Sequence, residues 1–283
     1  MVDGALGERS SRIASAHRLL RRSRRVEARE FLAEGVQAVT EAIAYAKEEP
    51  GSVLELYVTA DAGQRHVELV RAAFAAGVEV TQVTTRAASF LSDTQAPQGI
   101  VARCRMIDVS VAEAIGSAPK SVAVLVNAND PGNAGTVVRL ADASGADAVI
   151  FAGESVDAFN PKAVRASAGS IFHLPLARAT DVSELLVELA AAGLNLVATT
   201  GAAEVDLDTA GDDGLLDLPT AWLFGSEAHG LPEHVIAAAD VALKVPIHGK
   251  AESLNLATAA AVCLYATASA HRRAAKVQDQ THA

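Results

Sequence analysis

From Ser121 onward the hydrophobic positions alternate between two patterns. Short, nearly continuous apolar runs such as Val122-Ala123-Val124-Leu125-Val126 have the character of parallel strands buried on both faces. Similar runs at 148–151, 195–199, 221–224 and 241–245 predict further strands. Between them the spacing predicts helices over 133–144, stopped by Gly145, and over 183–192, ending at Gly193. A long alanine-rich helix is expected over 253–270, with a frayed tail from Ala274 to the end. This alternation predicts an α/β domain: a parallel sheet with helices on its faces. Ligands of such sheets bind beyond the carboxyl ends of the strands.

The N-terminal part reads as a separate mixed α/β unit. Helices are expected over 10–25, 35–47 and 66–76, and strands over 53–58 and 99–104. The segment Arg29-Glu30-Phe31-Leu32-Ala33-Glu34-Gly35 carries no assignment of its own and leads into the second helix. The stretch 112–120 is rich in Ala, Gly and Pro, so the expected domains are 1–112 and 113–283.

Composition adjusts this picture. No apolar run approaches the roughly 20 residues of a membrane span. The start, MVDGALGERSSRIASAHRLL, has no signal-peptide core, which predicts a cytoplasmic protein. Cys104 and Cys263 stand far apart with no metal-ligand company, so neither a disulfide framework nor a metal site is expected. An aromatic content of 4% argues against a stacking platform for single-stranded nucleic acid. The formal charge is −10, yet Arg9, Arg12, Arg18, Arg21, Arg22, Arg24, Arg25 and Arg29 crowd the first thirty residues, against Asp3, Glu8, Glu27 and Glu30. Such a segment is either a phosphate-binding surface or a solvated basic helix.

Three strand-to-helix loops can carry chemistry. In the first, Asn127-Ala128-Asn129-Asp130-Pro131-Gly132-Asn133, Asn133 suits a helix N-cap and Arg139 follows almost two turns later. In the second, Gly225-Ser226-Glu227-Ala228-His229-Gly230-Leu231-Pro232, two glycines bracket a carboxylate, and Pro232 suits the first turn of the next helix. The third runs from Val245-Pro246-Ile247-His248 to Ser253-Leu254-Asn255, where Ser253 is expected to cap the last helix and Asn255 to lie in its first turn. Taken singly, each loop is equally an ordinary cap or tight turn, and His248 an ordinary surface histidine.

Taken in order, N-x-G-x-x-x-R, G-S-E-x-x-G-L and P-I-x-G-x-x-x-S-L-N resemble the SpoU (TrmH) branch of the SPOUT RNA methyltransferases. Within it the chain is similar to the thiostrepton-resistance (TsnR-like) ribosomal RNA 2′-O-methyltransferases. Phe31-Leu32-Ala33-Glu34-Gly35 and Ala96-Pro97-Gln98-Gly99-Ile100-Val101-Ala102 resemble that family's substrate-binding domain, itself related to small RNA-binding ribosomal proteins.

The resemblance implies a deep trefoil knot in the C-terminal domain, a homodimer, and S-adenosylmethionine as cofactor. Gly225, Val245, Ile247 and Leu254 would contact the cofactor, with Thr199 and Thr200 lining the same pocket. Asn133, Arg139, Glu227, Ser253 and Asn255 match active-site positions. Arg165, in Asn160-Pro161-Lys162-Ala163-Val164-Arg165, matches a position tied to RNA phosphate contact or catalysis. Arg21, Arg22, Arg24 and Arg25 would grip RNA, with large-subunit ribosomal RNA the expected substrate. Transfer RNA methylation and a non-catalytic RNA-binding role are alternatives. An α/β oxidoreductase is a further rival, and the absence of G-x-G-x-x-G counts against it.

Overall fold

The structure, a computed structural model, describes residues 4–281, with side chains described through 276. Met1–Asp3 of the N-terminal segment and His282–Ala283 of the tail lie outside the described residues. The chain divides into two compact units, Met1–Ile107 with Asp157–His173, and Asp108–Val156 with Leu174–Ala283.

The first unit opens with α1 (Ser11–His17), a single 3-10 turn and α2 (Arg22–Ala28). The one helix expected over 10–25 is thus broken, because Arg21 adopts an extended conformation between the two halves. There follow β1 (Glu30–Glu34), α3 (Val36–Glu48), β2 (Val53–Val58), α4 (Ala60–Arg65), α5 (Val67–Ala75), β3 (Glu79–Gln82), α6 (Thr85–Phe90) and β4 (Ile100–Arg105). The sheet order is β1-β4-β2-β3, with β4 antiparallel to both neighbours and β3 parallel to β2. Strand β1 is silent in the sequence because its five residues are too few for alternation to stand out. Ile13, Leu19, Leu32, Tyr57, Val83 and Leu91 build one core of this unit. Beside it, buried Glu55 accepts hydrogen bonds from the hydroxyls of Tyr57 (2.7 Å) and Thr81 (2.6 Å) and from Arg12 (2.5 Å). Burial and the adjacent Glu55 carboxylate push the Tyr57 hydroxyl pKa upward.

The second unit comprises α7 (Val111–Ile115), β5 (Ser121–Val126), α8 (Pro131–Ser144) and β6 (Ala148–Ala152). The chain then passes to the first unit for α9 (Pro161–Ala166). It returns for β7 (Leu176–Ala179), α10 (Val182–Ala191), β8 (Asn195–Thr199), β9 (Val205–Asp206), α11 (Leu207–Asp212), β10 (Thr220–Phe224), α12 (Glu233–Ala238), β11 (Val241–Lys244) and α13 (Leu256–Thr281). The seven strands are parallel, in the order β7-β6-β5-β10-β8-β11-β9. One sheet face packs Val122, Val124, Ile150 and Leu223 against Leu185 and Leu189 of α10. On the other, fully buried Trp222 donates from Nε1 to the Thr267 hydroxyl of α13 at 3.0 Å. Both faces are covered, which is why the strands read as unbroken apolar runs. Helix α13 starts three residues later than expected and continues through Thr281, so the tail is helical rather than frayed as far as it is described.

Residues 157–173 are tied into the first unit by a buried ion pair. Arg25 donates from Nε and Nη2 to Asp157 at 2.9 and 2.7 Å, and from Nη1 to the carbonyls of Leu19 and Leu20. Its side chain is 2% exposed. The expectation that Arg25 grips RNA is therefore corrected: its donors are spent inside the fold.

Among the described residues no helix is long and apolar enough to cross a membrane.

Candidate active site

The site lies in the second unit, beyond the carboxyl ends of β5, β8, β10 and β11. Adjacent strands β5 and β10 are far apart in sequence, so the loops leaving them converge in space.

After β5, Asn127 takes a left-handed conformation (φ 53°). Its Oδ1 accepts the N–H of Glu154 at 2.9 Å. The fully buried Ser155 hydroxyl accepts the Ala128 N–H at 3.0 Å and lies 2.8 Å from the carbonyls of Leu125 and Ala152. These bonds fix the approach to α8. The N-cap of α8 is Asp130, whose side chain accepts the N–H of Asn133 at 2.8 Å. This corrects the expectation for Asn133, which lies inside the first turn. Its side chain is released from capping and reaches across to the other loops.

After β10, the loop closes on itself through two backbone bonds between Ser226 and Gly230, of 3.1 and 2.9 Å. Glu227, Ala228 and His229 form its exposed tip. A Cβ on Gly225 would stand 2.2 Å from the Gly230 carbonyl carbon and 2.3 Å from the Leu231 nitrogen. Only glycine permits so close a backbone crossing. Pro232 precedes α12 as its N-cap residue rather than entering its first turn.

After β11, α13 begins at Leu256, and its first turn is capped by Asn255. Asn255 Oδ1 accepts the N–H groups of Ala257 (2.9 Å) and Thr258 (3.3 Å). The expected cap, Ser253, lies in the preceding loop, where it is exposed.

These loops are joined by a chain of side-chain hydrogen bonds. Asn255 Nδ2 donates to Asn133 Oδ1 at 3.1 Å, and Asn133 Nδ2 donates to Glu227 Oε1 at 2.6 Å. Asn255 is bound to present its oxygen to the helix N–H groups, so only its Nδ2 is left for Asn133. Asn133 must in turn donate from its own Nδ2, and the Glu227 carboxyl oxygen accepts.

Beside this chain is a cavity of about 290 Å³. Thr199, Thr200, Gly225, Val245, Ile247 and Leu254 all line it, as do Glu227 and Ser253. Sequence reasoning missed Phe224, Leu243 and Leu256, which supply apolar wall. No signal separates these from core residues, since each belongs to a buried strand or helix. The Thr199 hydroxyl donates to the Leu223 carbonyl at 2.8 Å, so this threonine ties β8 to β10 at the cavity rim. The volume is close to the lower end of the roughly 300–1,000 Å³ usual for small-molecule sites. A lining that combines polar groups with aliphatic side chains suits a ligand with an apolar ring and a charged tail.

Arg139 is exposed on α8, six residues beyond Asn133 and so about 9 Å further along the axis. Arg165 lies on α9 in the first unit, close to Glu34 and Asp93. Arg21, Arg22 and Arg24 are exposed around the start of α2, with Arg24 pairing to Glu27 at 2.5 Å.

Comparison with known proteins identifies the family. A family model described as the SpoU rRNA methylase family matches residues 120–265, and one described as an MRM3-like substrate binding domain matches residues 10–102. The 23S rRNA (guanosine(2553)-2'-O)-methyltransferase RlmP of Bacillus subtilis (strain 168) is 30% identical over 260 residues, 91% of this chain and 96% of that protein. The AdoMet-bound rRNA methyltransferase of Sinorhizobium meliloti is 28% identical, with a TM-score of 0.77 over 91% of this chain and 94% of that one. The SpoU methyltransferase AviRb of Streptomyces viridochromogenes, solved with AdoMet, is 30% identical, with a TM-score of 0.75 over 92% and 98% of the two chains. Spanning most of this chain and nearly all of such relatives, these likenesses place the protein in the SpoU rRNA methylase family.

Proposed function

We propose that this protein methylates a ribose 2′-hydroxyl of large-subunit ribosomal RNA, with S-adenosylmethionine as methyl donor. One observation carries the reading. Six residues expected at the cofactor, Thr199, Thr200, Gly225, Val245, Ile247 and Leu254, line one cavity although they come from three separate loops. The donor set fits the cofactor. Leu243, Ile247 and Leu254 offer apolar contact to an adenine ring, while Glu227 and the hydroxyls of Ser226 and Ser253 can hold its polar groups. The enforced glycine at 225 leaves backbone open to close approach. When bound, S-adenosylmethionine supplies an electrophilic methyl group on a sulfonium sulfur.

The chain's own residues then have two tasks. Asn133 and Asn255 hold Glu227 at the cavity wall and so keep the three loops in register. Arg139 orients the target phosphate and stabilises negative charge developing on the ribose oxygen. A guanidinium holds its proton tightly, which favours this charge-stabilising role for Arg139 over that of a general base.

In this reading residues 1–112 bind RNA, joined by Arg165 from the 157–173 segment of the first unit, and the remainder of 113–283 transfers the methyl group. Exposed Arg21, Arg22 and Arg24 supply RNA contact in the first part. The C-terminal part carries the family's knot and pairs as a homodimer, and the enzyme works in the cytoplasm. Buried Ala257 and Ala260 on α13 suit an internal contact, leaving exposed Val262 and Tyr265 for a partner surface.

The test is incubation of the purified protein with labelled S-adenosylmethionine and unmodified 23S ribosomal RNA, followed by mapping of the modified nucleotide. A single 2′-O-methylated ribose is expected. Label in no RNA pool, transfer RNA included, would reject the enzyme reading.

A further inference from the structure

A second cavity, of about 240 Å³, lies in the first unit and is lined by Glu34, Gly35, Thr94, Gln98 and Arg165. Its charged groups are unequal in kind. Glu34 is 8% exposed, and its Oε1 accepts the hydroxyls of Ser92 at 2.5 Å and Thr94 at 3.1 Å. Its Oε2 is 3.4 Å from the Arg165 guanidinium. Glu34 is therefore a fixed orienter. Asp93 stands between the two residues that Glu34 pins, which sets its carboxylate directly against the same Arg165 nitrogen. Asp93 is 39% exposed, and Arg165 27%. This pair opens to solvent at low cost, whereas the Glu34 contacts do not.

We propose that Asp93 is a latch on Arg165, occupying the place of an RNA phosphate and leaving it when RNA binds. The inference rests on the RNA reading above. A guanidinium is a fork that accepts a carboxylate or a phosphate in the same geometry. Glu34 keeps that fork at the cavity wall while Asp93 exchanges with a phosphodiester of the RNA strand. Weak, transient RNA contacts must then compete with a tethered carboxylate, so Asp93 lowers affinity for RNA in general and tunes how firmly Arg165 engages.

The experiment measures binding of the full chain to a polyuridylate oligomer and to unmodified 23S ribosomal RNA over a range of salt, for the native protein, Asp93→Asn, Arg165→Gln and the double variant. Asp93→Asn is expected to raise affinity about five-fold at low salt. It should also steepen the single-strand log–log salt slope by about 0.7, the share of one phosphate contact. In the Arg165→Gln background the same change should do nothing. Unchanged affinity for Asp93→Asn overturns the latch, and so does a gain that persists without Arg165, since that gain would reflect net charge alone. If the native protein bound neither RNA, the RNA reading itself would fail, which is a separate result. Asp93 is exposed and Glu34 keeps Arg165 in place, so the variant folds; a melting curve superimposable on the native one verifies this.

Discussion

Asn133 donates from Nδ2 to Glu227 Oε1 at 2.6 Å, joining the loop after β5 to the loop after β10. Asn255, which caps α13, closes the chain from the third loop at 3.1 Å. The helix cap dictates the polarity of the whole chain. Asn255→Asp keeps the cap but removes the donor to Asn133, and sets oxygen against oxygen. The expected result is a melting temperature close to native, with cofactor affinity lowered about ten-fold, the worth of one lost hydrogen bond and its repulsive replacement. Asn255→Ala should lose both. Calorimetric titration with S-adenosylmethionine and thermal melts check the pair; equal losses of stability in the two variants would contradict the assignment.

Gly225 offers a steric test. Gly225→Ala places a methyl 2.2 Å from backbone, where nothing flexible can yield. The loop must open, and the cavity wall with it. Cofactor binding should fall by at least about 100-fold, an effect in the range of severe local misfit. Gly230→Ala meets no atom within 4 Å but keeps a positive φ (65°), so it should be milder. Near-native affinity in Gly225→Ala would remove the loop from the cofactor site.

Arg139 tests the chemistry. Arg139→Ala should lower turnover by about 10²–10³-fold, the usual loss for a group stabilising developing charge. Arg139→Lys should recover much of it, and its pH–rate profile should parallel the native one. Activity that instead follows titration of the substituted side chain would make residue 139 the base.

The arginines of the N-terminal segment should separate into two classes. Arg25→Ala strands Asp157 as a buried carboxylate and should cost about 3–5 kcal/mol of stability, read by denaturant titration. Replacing Arg21, Arg22 and Arg24 with Gln should leave stability within about 0.5 kcal/mol. The same triple change should weaken RNA binding and flatten its salt dependence. Unchanged RNA affinity at several salt concentrations would end the proposed role of these three.

Alkaline pH should destabilise the fold. Burial pushes the Cys263 thiol up to about 12, and shifts Cys104 and Tyr57 upward as well. Each is held neutral in the folded chain, while the unfolded chain ionises near about 8.5 for cysteine and 10 for tyrosine. The folded state thus binds more protons in that window. Its stability is fully present below about pH 8 and is lost as pH rises above it. Melting temperatures between pH 7 and about pH 10.5 should show this decline, and neither thiol should react with a thiol reagent at pH 8 until denaturant is added.

The sequence by itself determined the parallel sheet, because strands buried on both faces must be apolar throughout, as 122–126 and 221–224 are. It also determined the order of the three loops and the residues they hold, since motif spacing is a local property. Caps were another matter. Asp130 and Asn133 both suit a helix start, as do Ser253 and Asn255, and propensity does not choose between neighbours. Tertiary structure chose Asp130 and Asn255, leaving Asn133 to bond Glu227, 94 residues away. Arg25 shows the same division. In sequence it is one basic residue among eight, and only the packing of Asp157 against it, 132 residues on, makes it a buried tie. The chain's chemistry is written locally, but whether a polar side chain caps, pairs or faces solvent depends on which distant group the fold brings within about 3 Å.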